Sequence, residues 1–246
     1  MTLKKNTRLH APMPPDALID VPADAPAILG SPSAEQLEKI NRFTPAQLPP
    51  LEAHEVCVVS FVGADNLLNR GLGKWVEADL AVLTRLLPGL PFTLDHDWGE
   101  VAKGQGLIFD ARMLKSKEAP QDALNQAGNF DVNRQVVAKE GHVQVEFDVS
   151  FPMRSAALEG LRFGWLGAVS MGGFNYKDIV CPLCQTSFDD KHCPHFAPDP
   201  SWGLTADAAE GKVAPYYIRS QVFDLGEVSL VLIANLPKAR VRRRGE

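Results

Sequence analysis

The segment His142–Phe151, HVQVEFDVSF, decides the fold class because its apolar residues occupy every second position. Successive side chains of a β-strand point to opposite faces, so this alternation predicts a strand with one apolar and one polar face. The apolar face consists of Val143, Val145, Phe147, Val149 and Phe151, and the polar face of Gln144, Glu146, Asp148 and Ser150. With the residues before it, from Arg134, the segment is typical of a β-hairpin that turns at Glu140-Gly141.

Other apolar runs predict more strands than helices. The predicted strands lie at 54–63, 99–114, 167–174 and 220–235. Apolar residues at helical spacing predict a helix over 76–87, and a short helix is expected over 155–163. Ser33, followed three residues later by Gln36, has the pattern of a helix N-cap. We expect a mainly β (α+β) fold, a closed or partly closed β-barrel with a few surrounding helices.

Composition divides the chain into three parts. Residues 1–50 contain nine of the 19 prolines and are expected to form a loosely ordered N-terminal arm. The folded domain is predicted to cover residues 51–237. Residues 238–246 are rich in Lys and Arg and are expected to form a solvated basic tail.

Net charge, the length of apolar runs and the spacing of the cysteines limit the classes of protein to which the chain can belong. The net charge of −5 gives no indication of nucleic-acid binding. No run of about 18 apolar residues predicts a membrane span, and the N-terminal residues do not have the pattern of a secretory signal. The cysteines are spaced as metal ligands, with Cys57 alone in an apolar run, which favours a reducing, cytosolic setting over a disulfide scaffold.

Three cysteines and a histidine form the sharpest local motif. Cys181-Pro-Leu-Cys184 is followed by Cys193 and His195, within an insert at about residues 178–200. Three thiolates and an imidazole are the ligands that a closed, tetrahedral structural Zn²⁺ site uses. We therefore expect a structural zinc knuckle. His192 competes with His195 for the fourth position, and His195 suits the C-x-H turn better.

Three further residues are candidates for nucleophilic catalysis. Ser170 lies among small residues that would let a substrate approach its hydroxyl. His96 follows an apolar strand, at a junction where catalytic groups are often held, and histidine is the usual general base at neutral pH. Glu227 opens an apolar strand, and a carboxylate there needs a partner. A serine nucleophile, a histidine base and an orienting carboxylate form a catalytic triad.

The chain resembles the prohead (procapsid maturation) serine proteases of tailed bacteriophages, which are related to herpesvirus assemblin. The resemblance rests on PFTLDHDW at 91–98, GAVSMGGF at 167–174 and LGEVSLVLIANLPKARV at 225–241, and it spans roughly residues 51–240. It implies an assemblin-like barrel with Ser170 as nucleophile, His96 as base and Glu227 as the acidic third member. The Cys/His insert and the second glycine after Met171 depart from the family pattern.

The third triad position has alternatives. Asp95, Asp97 or Asp224 could orient His96 in place of Glu227. In the assemblin relatives a second histidine fills this position, for which His142 would be a distant candidate.

The resemblance also implies the biological setting. The substrates would be the phage scaffolding protein, the major capsid protein and the protease itself, inside the procapsid in the host cytoplasm. Neither a membrane nor nucleic acid is expected as a partner. Two other hypotheses stay open from the residues alone: a non-enzymatic, zinc-stabilised capsid-assembly or binding protein, and a zinc hydrolase that uses the cysteine cluster.

Overall fold

The computed structural model describes residues 30–69, 73–94, 105–125, 130–163, 167–173, 175–187, 193–195, 217–231 and 240–241. The strands in these ranges are β1 Val56–Asp65, β2 Gly73–Trp75, β3 Pro91–Leu94, β4 Gly106–Ser116, β5 His142–Pro152, β6 Ala168–Gly172, β7 Asn175–Val180, β8 Tyr217–Asp224, β9 Glu227–Val231 and β10 Arg240–Val241. The helices are α1 Ala34–Asn41, α2 Glu77–Leu86, α3 Gln121–Leu124, α4 Phe130–Glu140 and α5 Ala156–Arg162. No helix in these ranges is both long and apolar enough to cross a lipid bilayer.

Seven of the described strands form a closed barrel in the order β1-β10-β6-β9-β3-β4-β5, and β5 pairs with β1 to complete the ring. Neighbouring strands of the barrel are antiparallel except β3 and β9, which are parallel. The other three strands form a small sheet in the order β2-β8-β7. The prediction of a strand-rich α+β fold built on a barrel is therefore confirmed.

The apolar face of β5 is the centre of the core, as its alternation predicts. All five apolar residues of that face are fully buried. The ring of Phe147 stacks on Phe61 with the ring centroids 5.5 Å apart, and Phe151 meets the edge of Phe92 at 5.3 Å. These aromatic pairs join β5 to β1 and β3 across the barrel interior. Each such ring contributes packing beyond the area it buries.

The polar face of β5 is also buried, which the alternation alone does not reveal. Glu146 and Asp148 are 2% and 5% exposed. Arg112 on β4 donates to both carboxylates, at 2.8 Å to Glu146 and 2.9 Å to Asp148, and Ser60 on β1 donates to Asp148 at 2.5 Å. The cation and the hydroxyl compensate the cost of taking these carboxylates out of water.

The predicted hairpin over 134–151 is wrong in its first arm. Residues 130–140 form the helix α4, and only the second arm is a strand. Val136 is buried and packs with Val132 and Val137 against Leu67 and Leu68, and these valines have helical spacing instead of the two-residue period of β5. The helix ends at Gly141, whose φ of 78° suits a glycine and whose N–H donates to the carbonyl of Val137.

The other predicted elements agree with the structure to different extents. Helices α2 and α5 match the predicted helices, and Ser33 caps α1 with the expected reciprocal bonds to Gln36. The predicted strand region 220–235 contains the end of β8 and all of β9, which belong to different sheets and are separated at Leu225-Gly226. A single apolar run therefore contributes residues to a strand in each of the two sheets.

Residues on both sides of the predicted domain contact the barrel. Helix α1, from the predicted arm, packs on the outside of the barrel because Ile40 is buried against Val56, Val58 and Phe109. Strand β10, from the predicted basic tail, pairs with β1 and β6. The division into arm, domain and tail at residues 50 and 238 stays a prediction.

Truncating Phe147 to alanine should lower the free energy of unfolding by about 3–5 kcal/mol, because it leaves a cavity among packed rings. Phe223→Ala is the matched control, since Phe223 is 61% exposed on β8. Its cost should stay below about 1 kcal/mol. Urea unfolding of the three proteins measures both values. Equal losses for the two variants would contradict the assignment of Phe147 to the barrel core.

Candidate functional site

Three neighbouring barrel strands place three hydroxyl side chains in one row. Ser229 on β9 lies opposite Ser170 on β6 and opposite Thr93 on β3. The neighbours of these residues along each strand, Val169, Val228 and Phe92, are fully buried in the barrel core. Because successive side chains alternate between faces, Ser170, Ser229 and Thr93 lie on the outer face of the barrel. We call these three residues the hydroxyl row.

Glu227 lies beside this row. It pairs with Gly172 on β6, precedes Ser229 by two residues and is 3% exposed. The hydroxyl of Thr93 donates to Oε2 of Glu227 at 2.9 Å, and the hydroxyl of Ser229 donates to the same oxygen. The two hydroxyl oxygens are 2.5 Å apart. A carboxylate buried in a sheet face needs such donors, because burial without them is costly.

Ser170 has the surroundings that the small neighbouring residues predict. It is half-buried, with Ala168 and Gly172 on the same face of β6. Among the described residues, no side chain forms a hydrogen bond with its hydroxyl. Glu227 accepts hydrogen bonds from Thr93 and Ser229, and Ser170 does not donate to it. The structure therefore brings Ser170 and Glu227 onto adjacent strands, two residue pairs apart along the strands.

His96 lies outside the described residues, as do Asp95 and Asp97. The described part of β3 ends at Leu94, which pairs with Leu230 on β9. His96 is therefore two residues further along the chain than the end of β3, the strand that carries Thr93 of the hydroxyl row.

The two other candidates for the third position lie elsewhere. Asp224 is exposed at the end of β8, where it accepts a hydrogen bond from Asn175 at 3.0 Å. His142 is buried at the start of β5, 3.8 Å from Asp65, and β5 pairs with β1 and β4 and not with β6. Among the described carboxylates and histidines that were candidates, Glu227 alone adjoins the hydroxyl row.

The four predicted metal ligands form one cluster. The side-chain donor atoms of Cys181, Cys184, Cys193 and His195 all lie within 4.8 Å of one another. The sulfurs of Cys184 and Cys193 are 3.7 Å apart, and Cys181 Sγ lies 3.7 Å from Nδ1 of His195. A tetrahedral ion that binds sulfur at about 2.3 Å holds two sulfurs about 3.8 Å apart. The cluster could therefore hold a metal ion, while His192 lies outside the described residues.

The backbone around Cys181 forms a tight turn that orients the ligands. The N–H of Leu183 donates to Cys181 Sγ at 3.4 Å, and the N–H of Gln185 donates to the carbonyl of Cys181 at 2.9 Å. Hydrogen bonds from Thr186 lower the pKa of the Cys184 thiol to about 6. Burial raises the pKa of the Cys181 thiol to about 11. Backbone donors to a ligand sulfur are typical of support around a metal site.

Two successive strand pairs, β6–β9 and β7–β8, connect the metal cluster with the hydroxyl row, and we call them the ribbon. Strand β6 leads through residues 173–174 into β7, and β8 leads through residues 225–226 into β9. These two strand pairs are both antiparallel, β6 with β9 in the barrel and β7 with β8 in the small sheet. Cys181 follows the last residue of β7. Cys181 therefore follows the small-sheet end of the ribbon, whereas Ser170 lies in its barrel part.

Thr93 and Ser229 were not among the site residues predicted from the sequence. The alternation in Glu227–Val231, EVSLV, already indicates that Glu227 and Ser229 share a face. The parallel pairing with β3 joins residues 134 positions apart, and no local pattern specifies it. Thr93 could thus be connected with Glu227 only once the strand order was known.

Comparisons with known proteins place this chain in no family. No protein-family model, no curated protein and no solved structure matches it.

The purified chain should contain about one metal ion per molecule, because the four ligands fit a single closed site. Cys193→Ser should reduce the metal content to near zero by removing a buried ligand. Cys57→Ala is the matched control, since Cys57 lies in the barrel core and should leave the content unchanged. Elemental analysis by mass spectrometry gives the three values. A wild-type content near zero in protein purified without chelator would refute the metal site.

Proposed function

We propose that this chain is a serine endopeptidase in which Ser170 is the nucleophile, His96 the general base and Glu227 the residue that orients the imidazole. The observation that carries the proposal is the pairing of β6 with β9. It places Ser170 and Glu227 on one face, beside the strand that leads to His96. The resemblance to prohead proteases is the second support, and it assigns the same three residues.

The spacing of the strands is compatible with these roles. Adjacent strands are about 4.8 Å apart, so the backbones of β3 and β6, on either side of β9, are separated by about 10 Å. Leu94 still pairs with Leu230 on β9, so two residues of extended chain remain from Leu94 to His96, and they cover about 7 Å. The imidazole adds its own length to this reach. The proposal therefore requires that the chain turn across β9 directly after Leu94, so that the imidazole at position 96 approaches the Ser170 hydroxyl.

The reaction would proceed through an acyl-enzyme. Ser170 Oγ attacks the peptide carbonyl while His96 accepts the hydroxyl proton. The C–N bond then breaks, and His96 returns the proton to the leaving amine. Water attacks the ester with His96 again as base, which releases the carboxylate product and restores Ser170. Glu227 holds the imidazole in the productive orientation throughout.

We propose structural Zn²⁺ as the ion in the Cys/His cluster. Three thiolates and one imidazole saturate a tetrahedral ion, and no coordination position is left for a substrate or a water molecule. The separation of the cluster from the hydroxyl row along the ribbon supports a structural function. This geometry favours the serine peptidase over a zinc hydrolase.

The proposed biological role is the maturation of a phage procapsid. By the resemblance, the substrates are the scaffolding protein, segments of the major capsid protein and the enzyme itself, within the procapsid in the host cytoplasm. The competing function is a zinc-stabilised assembly protein without catalysis. Under that alternative, the bonds of Glu227 to Thr93 and Ser229 serve the packing of the barrel alone.

Ser170→Ala should abolish self-processing, because it removes the oxygen that the proposal assigns to the attack on the peptide carbonyl. Ser220→Ala, a half-buried serine of β8 in the small sheet, is the matched control and should be processed as wild type. Intact-mass spectrometry of the three proteins after expression and prolonged incubation identifies the fragments. The same fragments in Ser170→Ala and wild type would remove the nucleophile assignment. A wild type that cleaves neither itself nor the capsid and scaffolding proteins would favour the assembly protein.

A further inference from the structure

We infer that Thr93 and Ser229 are positioning residues of the proposed peptidase, which hold the Glu227 carboxylate in the orientation that catalysis requires. The inference rests on the proposed function. The hydroxyls of Thr93 and Ser229 both donate to Oε2 of Glu227, from two different strands. Neither residue is assigned a role by the triad, and neither touches the reacting atoms. Their effect passes through Glu227.

The burial of the three side chains makes this arrangement specific. Ser229 is fully buried and Glu227 is 3% exposed. In such a site water does not substitute readily for a missing donor, so each hydroxyl determines where the carboxylate lies. Two donors that converge on one oxygen restrict the rotation of the carboxylate plane. The second oxygen then has a defined position from which it can accept a hydrogen bond from an imidazole.

Thr93 adds a link between strands that the backbone does not provide. The parallel pairing of β3 with β9 positions the two backbones, whereas the Thr93 hydroxyl connects β3 with the Glu227 side chain itself. Thr93 also precedes the proposed base by three residues. The side chain therefore ties the carboxylate to the strand from which the histidine is reached. Loss of the hydrogen bond from Thr93 would misplace the Glu227 carboxylate relative to His96, although both residues would still be present.

The test compares three threonine variants in cleavage of a peptide taken from a self-processing site. Thr93→Val removes the hydroxyl and keeps the shape, so kcat should fall about ten- to a hundredfold while KM stays within about twofold. Thr93→Ser restores the hydroxyl and should recover kcat to within about threefold of wild type. Thr84→Val is the matched control. It removes a hydroxyl bond of 2.8 Å to the carbonyl of Leu80 in α2, away from the site, and should leave kcat unchanged.

The outcomes separate this inference from the proposed function. If Ser170→Ala is inactive while Thr93→Val has wild-type kcat, the positioning inference is wrong and the peptidase stands. If Ser170→Ala is as active as wild type, the peptidase assignment fails whatever the threonine variants do. Equal loss in Thr93→Val and Thr93→Ser, or in Thr84→Val, would also overturn the inference, because the hydroxyl at 93 would not be the cause. If Thr93→Val does not fold, Ser229→Ala removes the other donor and must show the same fall in kcat.

Discussion

Strand β9 is held between two partners, and the positions of Glu227 and of the hydroxyl row depend on this double pairing. It runs antiparallel to β6 and parallel to β3, so one register aligns three segments that are far apart in the chain. On the inner face this register packs Val228 with Phe92 in the core. On the outer face it forms the hydroxyl row and places Glu227 beside it, whereas His142 lies on β5 and is positioned by β1 and β4. A shift of one residue would exchange the two faces, which burial of the apolar side chains forbids.

The same register extends beyond the barrel. Strands β7 and β8 continue the β6–β9 pair into the small sheet, where Asp79 of α2 accepts the N–H of Val222 at 3.0 Å and so joins that sheet to the helix. Burial raises the pKa of Asp79.

At the far end, the Cys/His cluster closes a short turn that has little apolar side-chain area of its own. Metal binding can supply the order that such a segment cannot obtain from a core.

Local patterns predicted the parts of this protein that depend on local spacing. The alternation of β5, the capping box at Ser33 and the Cys/His spacing could all be recognised because each lies within one continuous segment of the chain. The helix α4 was mistaken for a strand because it leads directly into the alternating residues of β5, and its contacts with Leu67 and Leu68 are those of a helix. The partners of Glu227 and the burial of Glu146 against Arg112 arise from strand order. No pattern within a single segment contains that information.

We propose that the outer face of β6, β9 and β3 carries a reactive serine. Treating the folded protein with a fluorophosphonate and mapping the adduct by peptide mass spectrometry tests this claim most directly, because such reagents modify serines that a neighbouring base activates. We expect one adduct, on Ser170, and we expect it to disappear when His96 is replaced by alanine. Absence of an adduct on Ser170, or an unchanged rate of modification in His96→Ala, would contradict it.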